Sequence, residues 1–134
     1  MHPSGGSILL IDDDPLFLKL LSETFRENGF SVFTASDGIE GIKAFIDNSP
    51  DVVICDLIMP RMGGVSACIE ISRRAGSRQP VIVLLTSMFH GVPHEHEMPE
   101  MGARVHISKS TSPLDVVIIV EQLLERKKIL QTSD

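Results

Sequence analysis

The stretch Asp51-Val52-Val53-Ile54-Cys55-Asp56-Leu57-Ile58-Met59-Pro60-Arg61-Met62-Gly63-Gly64 decides how this chain is read. Residues 51–55 lack polar alternation, so they read as a strand buried on both faces, as in a parallel sheet. Asp56 ends that apolar run. A carboxylate at the C-terminal end of a buried strand lies where open α/β sheets keep their ligand sites. Outward from it, three more apolar runs end in a reactive residue. Ile8-Leu9-Leu10-Ile11 leads into Asp12-Asp13-Asp14, Val81-Ile82-Val83-Leu84-Leu85 into Thr86-Ser87, and Val105-His106-Ile107-Ser108 into Lys109. Side by side in a sheet, these ends would gather carboxylates, a hydroxyl and an ammonium in one cleft, a set suited to a hard divalent cation and a phosphoryl group.

Helical patterns separate the runs. After a strand over 7–12, Asp14 reads as an N-cap and Pro15 as the first helical residue. Phe17, Leu20, Leu21 and Phe25 then share a face until Asn28-Gly29 stops the helix. A second strand covers 30–34. Asp37-Gly38 turns into a helix with Ile39, Ile42, Phe45 and Ile46 inward, ended by Ser49-Pro50. Gly63-Gly64 reads as a flexible loop before a helix over 65–74. Pro80 opens a strand over 81–85, a fifth strand covers 104–108, and Ser112-Pro113 starts a last helix to about Lys128. Residues 88–101 stay ambiguous, because Pro99 would fall inside a regular helix at a cost of ~3 kcal/mol. The alternation implies a (βα)5 doubly wound parallel sheet with helices on both faces.

The 134 residues suffice for one domain, read as a lead-in over 1–6, a body over 7–128 and a tail over 129–134. With 12 basic and 18 acidic residues the net charge is 12 − 18 = −6, which argues against direct nucleic-acid binding. Cys55 and Cys68 lie in apolar surroundings without a spaced metal motif and read as reduced core residues of a cytoplasmic protein. No apolar segment approaches the ~20 residues that span a bilayer, and the N-terminus has no signal-peptide pattern.

Asp12, Asp13 and Asp56 would repel one another unless a cation neutralised them. Mg²⁺ takes oxygen ligands and keeps waters that a phosphate can replace. A carboxylate can itself be the nucleophile and form an acyl phosphate. Thr86 could then donate to a phosphoryl oxygen and Lys109 could offset its charge. Jointly these residues resemble the receiver domain of two-component response regulators, of the chemotaxis-regulator kind, from Ile8 to about Leu124. The resemblance implies a flavodoxin-like sheet with strand order 2-1-3-4-5. It implies that Asp56 accepts a phosphoryl group from a phosphohistidine on a sensor histidine kinase or a histidine phosphotransfer protein. Asp13, Asp56 and the Ile58 backbone carbonyl would ligate Mg²⁺, with Asp12 acting through a water. Thr86 and Lys109 would contact the phosphoryl group, and a downstream protein would read the change through residues 88–124. Such a domain is a signalling switch that catalyses only its own phosphorylation and dephosphorylation.

The chain also departs from the family pattern. Ser110 follows Lys109 where many receivers carry proline. His106 stands where receivers place a swinging aromatic, and is expected to make the switch pH-sensitive near its ordinary pKa of ~6.5. Ile58 and Met88, flanking the path of hydrolytic water in the family, cannot orient a water by strong hydrogen bonds, so slow self-dephosphorylation is expected. His90, His94 and His96 make a poor metal site, because His94-x-His96 does not share a helix face and has no cysteine partner. The stripe Val116, Val117, Ile118, Ile119, Val120, Leu123 and Leu124 is wider than one buried face needs, which leaves room for a partner or a homodimer. Two other functions stay open. One is a haloacid-dehalogenase-type phosphohydrolase using the Asp-x-Asp of residues 12–14, and the other is a receiver-like scaffold that is never phosphorylated.

Overall fold

The computed structural model describes residues 6–57, 63–86 and 103–132. Its elements are β1 (Gly6–Ile11), α1 (Pro15–Glu27), β2 (Phe30–Ala35), α2 (Gly38–Asn48), β3 (Val52–Asp56), α3 (Gly64–Ala75), β4 (Val81–Thr86), β5 (Ala103–Ser108) and α4 (Pro113–Thr132). All strand pairs are parallel, and the order β2-β1-β3-β4-β5 puts β3 at the centre. This is the doubly wound, flavodoxin-like sheet. Four helices belong to the described residues, and the helix expected within 88–101 lies outside them.

The register explains the two cores. Ile8 pairs with Val52, Leu10 with Ile54, Val52 with Val81 and Ile54 with Val83. Parallel neighbours in register point the same way, and successive residues alternate faces. One face therefore gathers Ile8, Leu10, Val52, Ile54, Val83 and Leu85 beneath Leu21 and Phe25 of α1 and Val116, Val117 and Val120 of α4. The other gathers Leu9, Ile11, Val53, Cys55, Ile82 and Leu84 beneath Phe45 of α2 and Cys68 and Ile71 of α3. Each fully buried aliphatic side chain contributes about 1.5–3 kcal/mol, so a two-sided core is what makes unbroken apolar strands favourable.

The helix starts follow from local chemistry. Asp14 Oδ1 accepts from Leu16 N at 3.0 Å and Phe17 N at 3.3 Å, with Pro15 as the first helical residue. Asp37 accepts from Glu40 N at 2.9 Å, and the Glu40 carboxylate reaches back to Ser36 N at 3.0 Å. Ser112 Oγ accepts from Asp115 N at 3.2 Å at the head of α4.

Some expectations are revised. Leu20, Ile39 and Ile46 are exposed, not inward, because the sheet covers only part of each apolar stripe. The last helix continues past Lys128 to Thr132. Its closing turns hold neither Gly nor Pro, and the Lys127 ammonium donates to the Gln79 carbonyl. Asp12 falls just beyond β1, whereas Asp56 is the last residue of β3.

Candidate functional site at the C-terminal edge of the sheet

β1 and β3 are adjacent, with Ile11 level with Cys55. The residues that follow, Asp12 and Asp56, therefore leave the sheet side by side. Both are buried while Asp13 is exposed, and one carboxylate oxygen from each of the three lies within 4.8 Å of the others. Asp56 is level with Leu85 on β4, so Thr86 stands one residue beyond it on the neighbouring strand. Thr86 pairs in turn with Ser108, and Lys109 N donates to the Thr86 carbonyl at 2.9 Å. The register thus brings Asp12, Asp13, Asp56, Thr86 and Lys109 to one edge.

Electrostatics close the arrangement. The Lys109 ammonium lies 2.8 Å from Asp12 Oδ2 and 3.5 Å from Asp56 Oδ2. Asp12 Oδ2 is buried, and the Lys109 ammonium is what compensates it. The other oxygen, Oδ1, accepts from Asp14 N at 2.9 Å, which turns the chain from β1 into α1. Burial works against the charged Lys109, but hydrogen bonding and Coulomb attraction to Asp12, then Asp56, outweigh it and raise its pKa above the ordinary value. The carboxylate trio offers oxygen ligands that could hold a hard cation, since a single ammonium leaves the cluster net negative.

The turn after Lys109 needs no proline. All described peptide bonds are trans. Ser108 Oγ accepts from Ser110 N at 3.1 Å and lies 2.7 Å from Ser110 Oγ, while Thr111 N donates to Ser108 O at 3.0 Å. His106, on β5, is half-buried, and its Nε2 is enclosed without a hydrogen-bond partner. Burial lowers its pKa from the ordinary value, so its charge change moves to more acid pH than the sequence predicts. Ile58 and Met88, and the histidines at 90, 94 and 96, lie outside the described residues.

Two contributors are not readable from the sequence pattern. Gly64 is the first residue of α3, not part of a flexible loop. A Cβ there would overlap the Asp56 backbone oxygen, so a bare Cα is what lets α3 approach the acidic residue. Phe17, which reads as a core residue by its spacing, also has the Lys109 ammonium over its ring at 4.6 Å from the centroid. Neither contact follows from local periodicity, because each joins elements distant along the chain. The Cys55 thiol, beside Asp56, is reduced, and its hydrogen bond with Cys68, then burial, raises its pKa well above the ordinary value.

Comparison with known proteins agrees with this geometry. The family model described as response regulator receiver domain matches residues 8–121. The alkaline phosphatase synthesis transcriptional regulatory protein PhoP of Bacillus subtilis is 29% identical over 94% of this chain, which covers 51% of that protein. The probable transcriptional regulator ycf27 of Guillardia theta is 34% identical over 89% of this chain and 45% of its own length. The chain thus spans about half the length of these curated relatives. Among solved structures, a response regulator receiver domain protein from Clostridium thermocellum superposes with a TM-score of 0.80 at 29% identity, covering 92% of this chain and 98% of that one. The Vibrio cholerae chemotaxis protein CheY4 gives 0.78 at 24% identity over 87% and 96%, a likeness of fold alone.

Proposed function

The chain belongs to the response regulator receiver domain family, and from that membership we propose that it is a phosphoacceptor switch modified at Asp56. The observation that carries this reading is the convergence of Asp12, Asp13 and Asp56 within 4.8 Å, with the Lys109 ammonium 3.5 Å from Asp56 Oδ2. In the proposed reaction an Asp56 carboxylate oxygen attacks the phosphorus of a phosphohistidine on a sensor kinase or histidine phosphotransfer protein. The O–P bond forms as the N–P bond breaks, and the imidazole leaves with the electron pair. Asp13 and Asp56, with the Ile58 carbonyl, are the proposed Mg²⁺ ligands, and Asp12 acts through a water. The bound ion supplies positive charge at the transferring phosphoryl oxygens. Lys109 exchanges its carboxylate partners for a phosphoryl oxygen, and the Thr86 hydroxyl donates to another. Thr86 and Lys109 adjoin β5 and α4, so their shift is proposed to alter the surface over residues 88–124 that a downstream partner or a second copy reads.

Both Asp12 oxygens are engaged, one by Asp14 N and one by Lys109, which leaves Asp12 poorly placed to be a phosphohydrolase nucleophile. Free thiols at Cys55 and Cys68 fit the reducing cytoplasm, and no helix among the described residues is long and apolar enough to cross a membrane.

Intact mass after incubation with acetyl phosphate and Mg²⁺ tests the proposal. The parent is expected to gain one phosphoryl group and Asp56→Asn none. A gain retained in Asp56→Asn but lost in Asp12→Asn would transfer the chemistry to the hydrolase reading, and no gain in the parent would leave the scaffold. With apolar residues at 58 and 88, the mass gain is expected to persist after acetyl phosphate is removed and to decay faster in Ile58→Asn with Met88→Glu.

A further inference from the structure

Lys109 has three ammonium donors and a flexible four-carbon stem, so two carboxylates alone do not determine where its charge rests. The structure adds a third neighbour. Phe17 is the third residue of α1, its backbone N bonded to the Asp14 cap at 3.3 Å, and it packs partly buried against the core layer beneath α1 and α4. The Lys109 ammonium lies over its ring at 4.6 Å, inside the range in which the ring quadrupole attracts a cation. Asp12, Asp56 and Phe17 therefore surround one ammonium.

We propose that Phe17 is a positioning residue for phosphoryl transfer, its ring holding the Lys109 ammonium at the junction of Asp12 and Asp56 from which it engages the incoming phosphoryl oxygen. The inference rests on the phosphoacceptor reading. An aromatic ring suits this place for a physical reason. A third carboxylate would bind the ammonium harder but would repel the phosphoryl group that has to arrive beside it. An aliphatic side chain would cover the same stem without attracting the charge. The ring attracts the cation while carrying no net charge, and the attraction is broad enough to follow the ammonium through a short shift.

Two variants separate these possibilities. Phe17→Leu keeps apolar bulk and removes the quadrupole, while Phe17→Trp restores a stronger one. The rate of Asp56 phosphorylation by acetyl phosphate with Mg²⁺ is followed by intact mass, and the Lys109 side-chain resonances by NMR. Phe17→Leu is expected to slow phosphorylation by about 3- to 10-fold and to remove the ring-current shift of the Lys109 methylenes. Phe17→Trp is expected to return the rate to about the parent's. Equal rates in the parent and Phe17→Leu overturn the proposal while leaving the acceptor role of Asp56 intact. A slow Phe17→Trp overturns it too, since packing shape would then be the cause. No phosphorylation of the parent sinks the phosphoacceptor reading and this inference with it, whereas phosphorylation surviving in Asp56→Asn sinks the assignment of the acceptor. Should Phe17→Leu fail to fold, Phe17→Met offers a second non-aromatic side chain for the same comparison.

Discussion

Single side chains here are governed by what surrounds them more than by their type. Lys109 alone would be an ordinary surface lysine. Between Asp12 and Asp56 it is the compensating charge of a buried cluster, and its pKa rises although burial opposes that. His106 goes the other way. Its Nε2 is enclosed, it has no carboxylate partner among the described residues, and burial lowers its pKa. The folded chain therefore keeps His106 neutral to lower pH than the unfolded chain does. Its contribution to stability is full above the unfolded value of ~6.5 and declines as pH falls from there toward the lowered folded value. The expected outcome is that His106→Phe loses less thermal stability than the parent between about pH 7.5 and 5.5. Equal losses in the two proteins would show that His106 is not linked to folding.

At the scale of elements, the site depends on how closely α3 approaches the end of β3. Gly64 N donates to the Leu57 carbonyl at 3.0 Å, and a Cβ at Gly64 would overlap the Asp56 backbone oxygen. Backbone cannot swing aside as a side-chain tip can, so Gly64→Ala must displace either α3 or Asp56. It is expected to cost about 1–3 kcal/mol and to impair phosphorylation as well. Among the described residues, a Cβ at Gly63 meets only the Leu57 carbonyl, at 3.5 Å, an ordinary contact. Gly63→Ala is accordingly expected to stay within about 0.5 kcal/mol of the parent. Urea unfolding of both variants decides the matter, and similar midpoints would refute the close-approach argument. The pair Gly63-Gly64 reads as flexibility in the sequence, yet the second glycine serves proximity.

For the molecule as a whole, the acidic edge sets stability against function. Three carboxylates held together are a strain that the fold tolerates because one lysine offsets part of the charge. A cation that binds the folded cluster and not the unfolded chain must stabilise the fold, by about 1.4 kcal/mol at ten times its dissociation constant. Thermal unfolding is therefore expected to shift upward in Mg²⁺ relative to EDTA, and Asp13→Asn to remove that shift while unfolding at higher temperature than the parent in EDTA. Identical midpoints of the parent with and without Mg²⁺ would contradict the proposed metal site.

Much of this was legible in the chain itself. Unbroken apolar runs such as Ile8–Ile11 and Val52–Cys55 determine a sheet buried on both faces, because polar alternation is what a wetted face would require. Caps at Asp14 and Asp37 mark helix starts by local hydrogen bonding. Reactive residues at four strand ends point to one edge, since parallel strands share a direction. What local sequence could not determine is contact between elements. The exposure of Leu20, Ile39 and Ile46, the close approach of Gly64 to Asp56, and the Phe17 ring beneath the Lys109 ammonium each depend on where a second element lies. Periodicity reports which residues share a face, but only tertiary packing decides what that face meets.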